Sequence, residues 1–513
     1  MKHIRHTFSL ILALTAIALP AAGQGIYDAL RFSKVEYEGT ARSLAMGNAF
    51  TAVGGDLGAV VYNPAATAIY LQSSLTITPS LNISNETSRF LDQTCANNHT
   101  RFGLSNLGYV ANYETGRNRG LIRLNFGIVS NQVANYNSRT SAYSTNHQSS
   151  LLSALAVGSQ GYDPSLLGYS ETFDPFAQTL IPAPYIQAYN CYLTDPIWEG
   201  DQFSGEYIGA TEIFDNDGYI TLAGPVNQSY DRISSGYNND IAFSLAGNIS
   251  NTLFFGVNIS IQTLWFRQDE YIHEYAVDPD DFQETGFRNM KYGFSLTSSG
   301  IGINARAGII WLPVQGLRLG ASVATPTWMN LQDQWFHSMD SQLDQRYYCD
   351  SPSYTYNYNL RTPLRWNLGA AYTFAGRGMI SVDYEKVDYS AIQMKDIADP
   401  FAFREENELI QQSFLASDVL RAGAELRATE QLSLRAGYNY YGKSNREFDD
   451  SRQYVSAGLG YADNGYFIDV AYQQPLNRNR ETFTFYPGNF QDSPQIHNQY
   501  RTFRILLTLG VRF

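Results

Sequence analysis

From residue 73 onward the chain keeps a two-residue rhythm, and this rhythm limits its fold more than any other feature. Phe503, Ile505, Leu507, Leu509, Val511 and Phe513 fall on one face of a segment. The other face carries Thr502, Arg504, Thr508, Gly510 and Arg512, with Leu506 the exception. Ile301, Ile303, Ala305, Ala307, Ile309 and Trp311 alternate in the same way with Gly302, Asn304, Arg306 and Gly308. Leu364 to Tyr372 and Leu432 to Tyr440 repeat the pattern. An alternation held over about ten residues is a β-strand whose two faces meet different solvents. Strands of soluble proteins usually run about five or six residues, and these are longer.

The spacing predicts strands near 73–89, 101–114, 119–143, 235–250, 253–277, 297–312, 315–334, 353–374, 378–395, 415–428, 431–447, 451–463, 466–487 and 497–513. That is 14, an even number. Every second gap is tight and carries turn chemistry: "TGRN", "SNT", "PVQG", "AGRG", "ATEQ" and "DNG". The other gaps are longer, the largest covering 144–234. Short turns on one side and long loops on the other mark an antiparallel transmembrane β-barrel of the bacterial outer membrane. Trp311, Tyr372, Phe374 and Tyr466 lie beside tight turns, and Trp265 and Trp328 lie further up their strands. They are expected to form two interfacial girdles about 25 Å apart. The long loop holds helix-like runs, "QSSLLSALAVGS" and "DPSLLGYSETFDPFAQTLI", and is expected to fold as a cap over the mouth.

Residues 1–23 read as a signal peptide: Lys2 and Arg5, an apolar core from Phe8 to Leu19, then small Ala21 and Gly23 before Gln24. The mature chain then has 33 basic and 48 acidic residues, a net charge of −15, which argues against nucleic acid as a partner. No later apolar run approaches the ~20 residues of a membrane helix. Cys95, Cys191 and Cys349 are too few for a disulfide framework, although one bridge between two of them is open.

The segment "ARSLAMGNAFTAVGGDLGAVVYNPAATAIY", residues 41–70, breaks the rhythm. It precedes the first strand and is rich in small residues. Asn63-Pro64-Ala65 reads as an N-cap followed by proline at the first helical position. Gly54-Gly55 allows a sharp turn before Asp56, another helix-start residue. Residues 24–72 are therefore expected to plug the lumen with short helices, leaving 73–513 for the barrel. On these residues, the strand count, the loop after the third strand and the hairpin "GIGINARAGIIWLPVQGLRLGASVATPTW", the chain resembles the FadL/TodX family of outer-membrane hydrophobic-compound transporters. The resemblance implies passive uptake of apolar molecules such as long-chain fatty acids, with release by plug rearrangement and a lateral opening beside a kinked third strand. Gly127, on the inward face with Arg123 and Asn125, is the candidate kink. Phe513, ending an alternating strand, resembles the signal read by the outer-membrane assembly machinery.

The inward face also holds Arg306, Arg318, Arg365, Arg421, Arg427, Arg435, Arg504, Asp383, Glu385, Glu425 and Asp469. On the lipid face a basic residue would cost about 2–4 kcal/mol at the midplane. These groups are expected to form a salt-bridged lumen that anchors the plug, or to offer one Arg to a ligand carboxylate. No Ser–His pair shares a strand face and no His/Cys cluster has zinc spacing, so neither catalysis, a metal site nor a cofactor is expected. "FDNDGY" around Asp215 and Asp217 reads as a turn. The expected partners are a hydrophobic small molecule and the bilayer, around a monomeric barrel. Two rivals share the architecture: a PorV-like barrel that shuttles secreted proteins, and an open porin.

Overall fold

The computed structural model describes residues 25–374, 377–486 and 493–513. The leader assigned to residues 1–23 lies outside them, as do Ala375 and Gly376 of one tight turn. The described residues form fourteen antiparallel staves closed into a barrel. They are β1 (Ser74–Phe90), β2 (Gln93–Glu114), β3 (Leu121–Asn135 and Ser138–Asn146), β4 (Val226–Ile249) and β5 (Leu253–Ala276). Next come β6 (Asn289–Val314), β7 (Leu317–Ala324 and Trp328–Gln342), β8 (Tyr354–Arg361 and Arg365–Phe374), β9 (Gly378–Asp388 and Gln393–Lys395) and β10 (Ala416–Arg427). The last are β11 (Leu432–Tyr441), β12 (Arg452–Asp463), β13 (Tyr466–Pro475 and Asn479–Thr484) and β14 (Gln495–Arg512). Each stave pairs with its sequence neighbours, and β14 closes on β1 from Ser74↔Arg512 to Phe90↔Ile496.

The rhythm maps onto this cylinder directly. Ile259 on β5 is 59% exposed, while its neighbours Asn258 and Ser260 are 1% and 0% exposed. Phe255, Val257, Ile261 and Trp265 share the outward face with Ile259. An apolar belt turned outward around the whole wall has no explanation in water; in a bilayer it is the lipid-facing surface. Trp311, Tyr372, Phe374 and Tyr466 point outward near the tight turns, and Trp265 and Trp328 outward further up. The β4–β5 turn uses Ser250 and Asn251 at φ 52° and 55°, the left-handed pair that matches strand twist.

One connection differs from expectation. β1 and β2 are joined by Leu91 and Asp92 alone, because their ladder continues from Ser74↔Val110 up to Phe90↔Gln93. The upper part of β2, "QTCANNHT", is polar on both faces, so alternation could not reveal it. The largest loop runs between β3 and β4. It folds into a cap with helices over Leu151–Ser159 and Ala183–Asn190 and a hairpin pairing Thr194–Glu199 with Gln202–Gly209. Asp215 accepts from the Asp217 and Tyr219 amides and closes a second hairpin as a plain turn. Cys95, Cys191 and Cys349 are free thiols.

Inside the barrel lies the N-terminal segment. Helix α1 (Ile26–Ser33) sits toward the outer end, where Phe32 meets Tyr136 and Phe266 edge-on at 5.9 and 5.8 Å. The chain then descends through α2 (Ala41–Ala45) and two 3-10 turns, Leu57–Val61 and Pro64–Ile69, to reach β1.

Candidate functional site: the plug and its seam in the wall

The plug has little regular structure, so a number of its backbone carbonyls find no partner within it. A buried carbonyl without a hydrogen bond is costly, and the wall supplies the donors. Asn258 donates to Val60 O at 2.9 Å, Asn439 to Gly47 O at 2.7 Å, Ser381 to Ala49 O at 2.7 Å and Ser322 to Tyr62 O at 2.5 Å. The small polar residues on the inward face are thus the partners of an irregular chain.

The wall also makes room for that chain. A Cβ added at Gly256 would meet the Pro64–Ala65 peptide, one at Gly320 Thr51 and Ala52, and one at Gly437 Met46 and Gly47. Gly308 lies against the Asn63 side chain. Asn63 does three jobs there. Its Oδ1 accepts from Ala65 N at 3.0 Å, capping the turn that Pro64 opens, while Nδ2 donates to Thr51 O at 2.7 Å and to Ile309 O of β6 at 3.0 Å. Gly54 and Gly55 take φ of +64° and +65°, a turn that a side chain would strain. Asp56 caps the next turn through Gly58 N at 2.8 Å and accepts from Thr40 Oγ1 at 2.7 Å. Burial pushes its carboxyl above the ordinary value, against the pull of Arg42 and Thr40.

Among the described residues most of the inward charges named from the sequence are paired, Arg318, Arg427 and Asp383 being the exceptions. Arg306 meets Asp240 at 2.6 Å. Glu385 takes Arg365 at 2.8 Å and also Arg421. Arg435 joins Glu425 at 2.6 Å and Asp469 at 2.5 Å. Several inward groups touch the plug: Arg365 donates to Ser33 O at 2.8 Å, Asp383 accepts from Thr51 N at 2.7 Å, and Arg421 lies 4.8 Å over the Tyr62 ring. The plug's own charges were not foreseen. Arg42 bonds Glu425 at 2.9 and 3.1 Å, Lys34 pairs with Asp450, and Glu36 pairs with Arg452 and, at 3.2 Å, with Arg504. Arg504, inward on β14, was the available signal. Among the described residues no group of three or more His, Cys, Asp or Glu is placed to hold a metal ion.

The third strand departs from its expected bend. Gly127 sits in unbroken register, opposite Val110 and Ser244, and its open side faces Thr67 of the plug at 3.4 Å. A Cβ there would meet Thr67 and Ser244 only at ordinary contact distance, and no break in the ladder falls at this residue. One register shift lies below it, between Leu121 and Arg123, and the other lies higher. β3 slips against β4 between Gln132 and Ala134, leaving Val133 bulged. β2 pairs with β3 only from Glu114↔Arg123 to Asn106↔Asn131. Above that height β3 leans inward, and Glu86 on the inner face of β1 accepts from Arg139 N at 3.0 Å and from Thr140 Oγ1 at 3.2 Å. β2 continues upward with Leu104 and Phe102 exposed, the latter by 85%. The wall thus has a seam without ladder bonds at the height of its apolar belt.

The plug closes that seam. Glu36 N donates to Val133 O at 2.8 Å and Glu38 N to Gln132 O at 3.3 Å. On the other side Ser105 Oγ donates to Gly39 O at 2.6 Å. Residues 36–39 stand where β2 would otherwise pair. At the outer end of the plug, a void of about 20 Å³ lies among Phe32, Tyr37, Arg306 and Arg365, room for about one water.

A closed fourteen-stave barrel with an apolar outer belt, a polar inner wall and a lumen filled by its own N-terminus is a plugged barrel of the bacterial outer membrane. No protein-family model matches the chain, and no curated protein sequence matches it. Its fold is shared with solved structures. The toluene transporter TodX of P. putida superposes with a TM-score of 0.51 at 14% identity, over 93% of this chain and 99% of that one. A FadL homologue of Pseudomonas aeruginosa reaches 0.54 at 11% identity over 94% and 100%. The toluene transporter TbuX of Ralstonia pickettii reaches 0.50 at 15% identity over 93% and 99%. At such identities the similarity is one of fold, and the fold is the FadL/TodX type.

Proposed function

We propose that the protein takes up hydrophobic small molecules passively across the outer membrane, with long-chain fatty acids and aromatic hydrocarbons as the substrate class. The observation that carries this reading is the seam between β2 and β3, held shut by plug residues 36–39. An apolar ligand arriving among Phe32, Tyr136 and Phe266 competes with α1 for the same aromatic surface. Movement of α1 pulls on Lys34 to Gly39 and withdraws the amides that cap Gln132 and Val133. The opened seam then passes ligand sideways into the belt, so an apolar molecule need not cross water. The named substrates of TodX and TbuX, toluene in both, agree with an apolar cargo.

Deleting Val133 removes the bulged residue and lets β3 continue in register. Cells producing this variant are expected to lose uptake of radiolabelled oleate and toluene while the barrel still folds; undiminished uptake would rule out the lateral route. A lipid-extraction mass spectrum of the purified native protein is expected to show a co-purified apolar molecule.

The shuttle reading draws on the cap. Residues 147–225 carry ten carboxylates and no Lys or Arg, with Leu180, Trp198 and Tyr219 exposed beside them. Such a surface suits a basic, aromatic protein tail. Retention of a secreted polypeptide on the native protein, lost on deletion of the cap while oleate uptake persists, would favour it.

A further inference from the structure

At its periplasmic end the lumen widens into a cavity of about 490 Å³ between the underside of the plug and the wall. Small-molecule sites typically enclose about 300–1,000 Å³. Five arginines line it, Arg42 and Arg318 within and Arg377, Arg427 and Arg512 exposed to solvent, against the single carboxylate of Glu425. That carboxylate is already shared by Arg42 at 2.9 Å and Arg435 at 2.6 Å. Among the described residues Arg318, Arg427 and Arg512 form no ion pair, although all three point inward from β7, β10 and β14. Like charges gathered in one cleft repel unless an anion joins them, and this chain is acidic overall, with a net charge of −13. The rest of the lining includes apolar Val53, Ile69, Leu71 and Met379.

We propose that this cavity binds an amphipathic anion from the periplasmic side: a carboxylate or phosphate head on a short apolar body. Guanidinium forks match both heads through paired N–H donors. The apolar lining under the plug takes the body. The site also touches the plug's turn. Arg318 Nη1 donates to Val53 O at 2.6 Å and Arg42 Nη1 to Gly55 O at 3.3 Å. A bound head competes with these two carbonyls for the same donors, so occupancy loosens the hold on Gly54-Gly55. The proposal stands apart from the uptake route, which involves none of Arg318, Arg427 or Arg512.

Isothermal titration of the full chain in an uncharged detergent at low salt tests it, with octanoate, octyl phosphate and octan-1-ol as probes. Octanoate or octyl phosphate is expected to bind one per chain, with octan-1-ol at least tenfold weaker. In the double variant R427Q/R512Q the anions are expected to weaken at least tenfold, while toluene uptake by cells stays at the native level. Repeating the titration in nanodiscs of neutral and of anionic phospholipid separates the two sources. Competition by anionic lipid assigns the site to a headgroup, and its absence to a soluble anion. Equal affinity for octan-1-ol, or unchanged anion binding in the double variant, overturns the proposal. A photoreactive diazirine analogue of octanoate checks the native protein without any substitution. Labelling of residues 69–72 or 377–379 supports the site, and labelling confined to the surroundings of Phe266 overturns it.

Discussion

At the scale of single residues the plug is held by charges that reach far along the chain. Glu36 meets Arg452 and Arg504, and burial of the ion pair makes each partner depend on the other. Burial alone would raise the Glu36 carboxyl, but the two guanidiniums outweigh it and bring it from 4.5 down to about 2. A folded value below the unfolded one stabilises the anchored plug above pH 4.5, and the contribution fades as pH falls toward 2. After correction for intrinsic rates, amide exchange of residues 34–40 is therefore expected to stay slow from pH 7 to 5 and to accelerate below about 4. In Glu36→Gln the same amides are expected to exchange fast already at pH 7, with no further change on acidification. A native profile that stays flat down to pH 2 would remove Glu36 from the anchor.

At the scale of elements, the inner wall and the plug are one packing problem. Gly47 of the plug, at φ +60°, lies back to back with Gly437 of β11, and a Cβ on Gly47 would meet Tyr438 N and Ala422 O at 2.7 Å. No side chain fits between the two backbones. Gly437→Val is expected to leave the barrel folded, because valine suits a strand, and to displace α2 and the turn after it. Hydrogen exchange should then rise by at least tenfold across residues 41–55, with the β10–β12 ladder still protected. Unchanged protection of 41–55 would show that the wall yields instead. The bulge at Val133 belongs to the same scale. It turns the Gln132 and Val133 carbonyls away from β2 and toward the amides of Glu36 and Glu38.

Across the whole molecule the charge is polarised. The cap holds ten carboxylates without a basic partner, while the periplasmic mouth gathers arginines. Between them the lumen is filled, so the intact protein is expected to conduct no steady ion current in a planar bilayer. Deleting residues 24–70 removes the stopper, and a conductance of porin size is the expected result, because a fourteen-stave barrel is wide enough to leave a water-filled bore. Equal currents before and after the deletion would mean that the plug seals nothing. Phe513, whose amide donates to Ser73 O at 3.0 Å, ends the closing stave.

The sequence by itself determined the cylinder. A period of two needs only the neighbour in the chain and the solvent on each face, so the staves of β5, β6 and β14 and the tight turns between staves were legible from local pattern. The plug was legible as a break in that pattern, with Asn63-Pro64 and Gly54-Gly55 marking its turns. Tertiary structure alone decided which groups meet inside. Glu36 and Arg504 lie far apart in sequence and become neighbours only when the barrel closes. The same holds for the seam. Gly127 looked like a bend because strand glycines often are, yet its empty side faces Thr67, and the bend arose at Val133, where an ordinary apolar residue loses its partner on β2. Periodicity records which way a side chain points; what it finds there depends on residues that only closure brings into reach.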